Sequence, residues 1–152
     1  MPAEKLLSSK LVTMMPMMTK SYSELREFDS FDGRFEYLKL DGQVGGATFG
    51  FDRWVNQQFY RSYEWRRARE IVIMRDDGCD LGVPGYEINA EILIHHMNPM
   101  SMDDIVHGEE WIFDPNFLIT TTKTTHNAIH YGIEHGYPKT VTRRTPNDTR
   151  LW

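Results

Sequence analysis

Cysteine is almost absent: Cys79 stands alone among 152 residues. A lone thiol forms no intramolecular disulfide and excludes a zinc site built from paired CxxC elements, so a reducing cytoplasm is the expected compartment. No run of about 18 apolar residues exists to cross a bilayer, and no membrane partner is expected. Lysine and arginine are missing from Asp76 to Asp114, a stretch that holds ten acidic residues. With a net charge of −5, that gap argues against uniform adhesion to a polyanion. The length suits one domain with a core and is too short for two comfortable ones.

The cations lie on either side of this acidic middle. Arg53 to Arg75 carries six arginines, and Lys123 to Arg150 carries five basic residues against two acidic ones. A phosphate backbone would be gripped by these flanks, although each arginine taken singly is an ordinary solvated helix position. Near the start, LLSSKLVTMMPMM has the apolar length of a secretory signal. Pro16 interrupts it and no small-residue cleavage site follows, so residues 1–20 read as a flexible tail. Met14, Met15, Met17 and Met18 equally allow translation to begin at one of them.

Periodicity supplies the elements. FDRWVNQQFYR places Trp54, Val55, Gln58 and Phe59 at helical spacing. Ser62 caps a second helix with a Trp65, Ala68, Val72 stripe, ended by Asp76, Asp77 and Gly78. These helices belong to a helical region over 21–76. Arg66, Arg67, Arg69 and Arg75 lie off most of the stripe and face water or a polyanion. GYEINAEILIHH reads as a hairpin: Tyr86 to Ile88, a turn at Asn89 and Ala90, then a strand from Ile92 to His96. Alternation sends Ile94 and His96 to one side and Leu93 and His95 to the other, so the adjacent histidines point apart. Ser101 caps a short helical turn, with Asp103 and Asp104 as capping carboxylates rather than a catalytic pair. Asp114 and Pro115 open a second strand, DPNFLITT. The helix KTTHNAIHYGIEHG, ending near Gly132 or Gly136, projects His126 and His130 from one face. His107 and His135 receive no role, and residues 137–152 form a basic tail.

Neither His95-His96 nor the H-x-x-x-H pair is specific alone; their order is. A strand ends in His-His-x-x-Pro, a loop leads to Asp-Pro-Asn before a second strand, and a helix follows with the spaced pair. A hairpin packed on that helix would gather four histidines. The run IHHMNP…DPNFLITTTKTTHNAIHYG resembles the core of the HNH nucleases, the ββα-metal family, over Cys79 to Gly132. A wider likeness to phage-encoded HNH proteins runs through SYSELREF, RFEYLKLDG, FYRSYEWRRARE and RDDGCDLG to PNDTRLW.

The resemblance implies an α+β fold in which a ββα-metal (His-Me finger) unit over 77–136 follows helices and is flanked by irregular tails. It implies a metal-dependent endonuclease acting on DNA phosphodiester bonds. His95, His126 and His130 would hold a divalent cation, the third histidine matching a subset that includes colicin-type nucleases. His96 would be the general base, and Asn116 the motif asparagine that braces the loop between strands. Such hydrolysis needs a deprotonated water and positive charge near the transition state, which an imidazole of ordinary pKa about 6.5 and a bound cation supply. Three nitrogen ligands favour zinc, nickel, cobalt or manganese over magnesium on softness, leaving the metal's identity open. The cations expected at DNA are Arg66, Arg67, Arg69, Arg75, Lys123, Arg143 and Arg144.

The chain departs from that pattern at the two CxxC pairs many HNH domains use for a structural zinc. Here those positions are Cys79, Gly82, Thr122 and Thr125. Packing must take the zinc's place, with Trp65, Tyr86, Trp111, Phe113 and Phe117 as candidates. The runner-up function is a DNA-packaging accessory beside a phage terminase, the acidic middle serving as its docking surface.

Overall fold

The computed structural model describes residues 20–40 and 53–133. The N-terminal tail apart from Lys20, the basic C-terminal tail, His135, Arg143 and Arg144 lie outside the described residues.

Serine and threonine start most of the helices. Ser21 and Ser30 cap α1 (Tyr22–Leu25) and α2 (Phe31–Leu38), accepting from the Glu24 and Gly33 amides. After α3 (Arg53–Arg61), Ser62 caps α4 (Tyr63–Arg75) by accepting from Trp65 N–H at 3.2 Å. The expected stop falls at Asp77 and Gly78, both left-handed at φ 53° and 64°. Next come β1 (Cys79–Asp80), β2 (Tyr86–Glu87), β3 (Leu93–His96), α5 (Met102–His107), two 3₁₀ turns, β4 (Leu118–Thr121) and α6 (Lys123–Tyr131). Ser101 and Asp104 form a reciprocal capping box on α5, as the sequence suggests.

Strand pairing differs from the expected hairpin. β2 pairs with β1, Cys79 opposite Glu87, while β3 pairs antiparallel with β4 from Leu93↔Thr121 to His96↔Leu118. The turn through Pro84 and left-handed Gly85 folds β2 back onto β1 locally, and Asn89 to Glu91 emerge exposed instead of turning into a ladder. β4 is buried at all four residues, so it needs a partner of equal length. β3 provides one.

This ribbon sits between two helical layers. Leu118 packs with Phe59, Trp65, Ala68, Val72, Met100 and Ile112, against which Ile94, Trp111 and Phe113 close. Ile119 faces the other way into Leu25, Leu38, Leu40, Met97 and Ile129. Helical segment and strands therefore share their cores, giving an α+β fold whose small sheets are antiparallel. No helix among the described residues is long and apolar enough to cross a membrane.

Arg75 corrects an expectation. Its guanidinium donates to Asp76 at 2.7 and 3.1 Å, to the Leu118 carbonyl at 2.7 Å and to the Pro115 carbonyl. It also lies 3.7 Å over the Tyr22 ring. Every direction of its planar fork is committed inside the protein, so it does not face a polyanion. Asp76, whose side chain has 0% exposure, also accepts from the Thr120 amide at 2.9 Å and so fastens α4 to β4. Asp76→Ala should cost about 3 kcal/mol by leaving Arg75 short of its anion, whereas exposed Arg67→Ala should stay within about 0.5 kcal/mol. Urea denaturation measures both, and equal midpoints would contradict this account.

Candidate metal centre

Three imidazoles converge where β3 meets α6. His95 comes from the strand and is 1% exposed; His126 and His130 come from successive turns of the helix. Ring centroids are 5.4 Å apart for His95 and His126, 5.0 Å for His95 and His130, and 4.4 Å for His126 and His130. One ligand nitrogen from each lies within 4.8 Å of the others, close enough to share an ion. His95 Nε2 and His130 Nδ1 are buried with no hydrogen-bond partner. An orphaned buried polar atom costs about 1–3 kcal/mol, so this trio is ill suited to staying metal-free. The donor set fits a divalent cation of borderline softness.

Burial keeps the trio neutral. It drives His95 well below the ordinary imidazole range, reinforced by its neighbours His126 and His130. It pushes His130 down to about 4, and it lowers His126 against an opposing hydrogen bond with Asn127. Metal ligation needs the unprotonated ring, so desolvation prepares the site.

The orientation of α6 is set at its first turn. Thr122 caps it, accepting from the Thr125 amide at 3.1 Å. Beneath lies Asp80, 1% exposed, accepting from Gly82 N–H at 2.9 Å, Thr122 N–H at 3.1 Å, Thr122 Oγ1 at 2.8 Å and Thr125 Oγ1. Burial raises the Asp80 pKa while these donors oppose the rise, and the helix dipole favours an anion there. Gly82, Thr122 and Thr125 are three of the positions that would carry zinc thiolates in the resembling family. One carboxylate links them here, and a Cβ on Gly82 would lie 2.4 Å from Thr125 Cγ2. Cys79 takes no part: its thiol makes only a 3.6 Å contact to the Asp77 carbonyl, and burial raises its pKa.

His96 occupies the opposite face of β3, as alternation requires. Its Nε2 lies 2.9 Å from the Ile112 carbonyl, which fixes the proton on Nε2 and leaves Nδ1 basic. Trp65 stacks on the ring at 5.2 Å and 15°. Burial pushes the pKa down to about 4. His95 and His96 nevertheless line one cleft together with Tyr60, Asn98, His126 and His130. The ladder continues past the strand, where Met97 N–H bonds the Phe117 carbonyl at 3.0 Å. Among the described residues β3 pairs with β4 alone, so both of its side-chain faces border the other edge.

Asn116 does not line this cleft. It sits in a 3₁₀ turn, where the Ser23 hydroxyl donates to its Oδ1 at 3.4 Å. Asn98 lines it and ties the end of β3 to the N-terminal segment: Nδ2 donates to the Lys20 carbonyl at 2.8 Å, and Oδ1 accepts from the Lys20 amide at 3.1 Å. Its position between the histidine pair and Pro99 was the available signal. Among the cations, Arg66 and Arg67 are exposed along a groove of α4 with Tyr63, Ile71 and Met74. Lys123 is exposed at the start of α6. Arg69 is half-buried and donates to the Ile92 carbonyl at 3.3 Å, so it joins Arg75 as an internal tie. Comparison with protein-family models, curated proteins and solved structures finds no match to this chain.

Asp80→Ala should weaken cobalt or zinc binding roughly 10- to 100-fold by releasing the helix that carries two ligands. Calorimetric titration measures this, and an unchanged affinity would refute the coupling. The metal-free protein should also lose stability as pH falls. Folded imidazole values lie below the ordinary 6.5, so between about 6.5 and about 4 the unfolded chain binds more protons. Stability is then full above that window and declines through it; urea midpoints that stay level from pH 7.5 to pH 4.5 would overturn this.

Proposed function

We propose that the protein is a metal-dependent endonuclease of the HNH, ββα-metal kind that hydrolyses DNA phosphodiester bonds, with a phage as its source. The observation that carries this reading is the meeting of His95, His126 and His130 on a strand pair and its following helix, with an oriented His96 opening on the same cleft. A divalent cation held by those three would supply positive charge for the phosphate and the departing 3′ oxygen.

The chain's own residues do the rest. His96 Nδ1 accepts the proton of a water as its oxygen bonds to phosphorus and the bond from phosphorus to the 3′ oxygen breaks. The Ile112 carbonyl holds the Nε2 proton, and Trp65 prevents the ring from turning away. With a pKa of about 4, His96 is in its base form at neutral pH. Low proton affinity reduces its driving force as a base, and the negative phosphate entering the cleft offsets this by stabilising the imidazolium. Arg66, Arg67 and Lys123 remain as described cations free to meet a DNA backbone, making binding salt-dependent.

A second reading keeps the fold and assigns the protein to DNA packaging beside a terminase, with little cleavage of its own. It is favoured by apolar exposure on the helical layer, where Trp54, Tyr63 and Met74 are 67%, 63% and 80% exposed. One experiment separates the two. His96→Ala should retain calorimetric metal binding and lose plasmid nicking by about 10²- to 10⁴-fold. Undiminished nicking by that variant would remove the base from His96. A native protein inert with manganese, magnesium, zinc, nickel and cobalt would favour the packaging role.

A further inference from the structure

Leu40, Ile94, Pro99 and Met100 bring apolar side chains to the cleft. Asn98 has both ends of its amide on the Lys20 backbone. His96 gives Nε2 to Ile112, and the other three imidazoles form the cation site. Among the described lining residues Tyr60 is the one with a hydroxyl, and that hydroxyl has no hydrogen-bond partner among the described residues.

The phenol is held in place. Its ring stands edge-on to Trp65 at 5.4 Å and 79°, and to Phe59 at 5.0 Å and 75°. Trp65 is also the ring on which His96 stacks, so one indole fixes both groups relative to each other. At 48% exposure, Tyr60 is anchored on one side and open on the other. Burial raises its pKa, so it stays a donor near neutrality.

We propose that Tyr60 is a catalytic residue whose hydroxyl donates to a non-bridging oxygen of the phosphodiester under attack. This rests on the nuclease reading above. A diester presents two non-bridging oxygens. A single cation held by the three imidazoles would take one, and among the described residues the cleft would otherwise offer the second oxygen apolar side chains. Charge grows on these oxygens as water adds to phosphorus, so a fixed donor strengthens its bond in the transition state. Tyr60 keeps its proton throughout; the water proton goes to His96 and the 3′ oxygen departs.

Tyr60→Phe removes the hydroxyl and keeps the ring against Trp65. With the manganese-loaded full chain acting on bis(p-nitrophenyl) phosphate and on supercoiled plasmid, kcat should fall roughly 10- to 100-fold. KM should move less than about threefold, because an interaction made in the transition state is lost from kcat. Manganese affinity should stay the same. An unchanged kcat, a loss confined to KM, or a loss of manganese affinity would each overturn the assignment. If the native protein turns over neither substrate, the nuclease reading fails first, and calorimetry with orthovanadate, a five-coordinate analogue of the transition state, on the manganese-loaded protein then decides Tyr60. Weaker vanadate binding by the variant would support the contact, while equal binding or none in the native protein would overturn it.

Discussion

A single buried carboxylate, Asp80, determines where the helix of His126 and His130 begins. No cation among the described residues pairs with it directly, although the Arg34 guanidinium on the Leu81 carbonyl acts on it through space; hydrogen-bond donors from Gly82, Thr122 and Thr125 solvate it. Four residues upstream, Asp76 does the equivalent for β4 through Arg75 and the Thr120 amide. Two anions on either side of one left-handed turn thus grip a strand and the helix that follows it. Such charges are costly to bury, and satisfied hydrogen bonds from every side are what make them tolerable. Three of their donor residues, Thr120, Thr122 and Thr125, belong to the segment that carries His126 and His130 into position.

This alters the meaning of the acidic middle. In sequence it looks like one docking surface, yet Asp76 and Asp80 point inward and Asp104 closes a capping box. What remains outside is interrupted, so the run reflects internal wiring as much as surface charge. The scarcity of cations there has a counterpart, because the guanidiniums of Arg75 and Arg69 reach across from α4 to backbone carbonyls of the strands and turn.

Local chemistry was legible and distant chemistry was not. Ser62 and Ser101 announced their helices, the Trp65, Ala68, Val72 stripe announced its buried face, and the four-residue spacing of His126 and His130 announced a shared side. Each follows from backbone geometry within a turn or two. Strand partners did not follow, since whether Tyr86 meets Asp80 or the strand ending in His96 depends on what β4 requires some thirty residues away in the chain. Nor did the fate of Arg75 or the place of Asn98 in the cleft. An amide or guanidinium can satisfy many partners, and only the assembled fold selects among them.

Trp65 serves three neighbours at once: it fills the core beside Leu118, backs the imidazole of His96 and supports the phenol of Tyr60. Its indole cannot shift to relieve crowding on one flank without tilting the other two. Amino-acid exchanges beneath α4 that preserve hydrophobic volume would therefore still be felt as a changed mutual alignment of the His96 imidazole and the Tyr60 phenol.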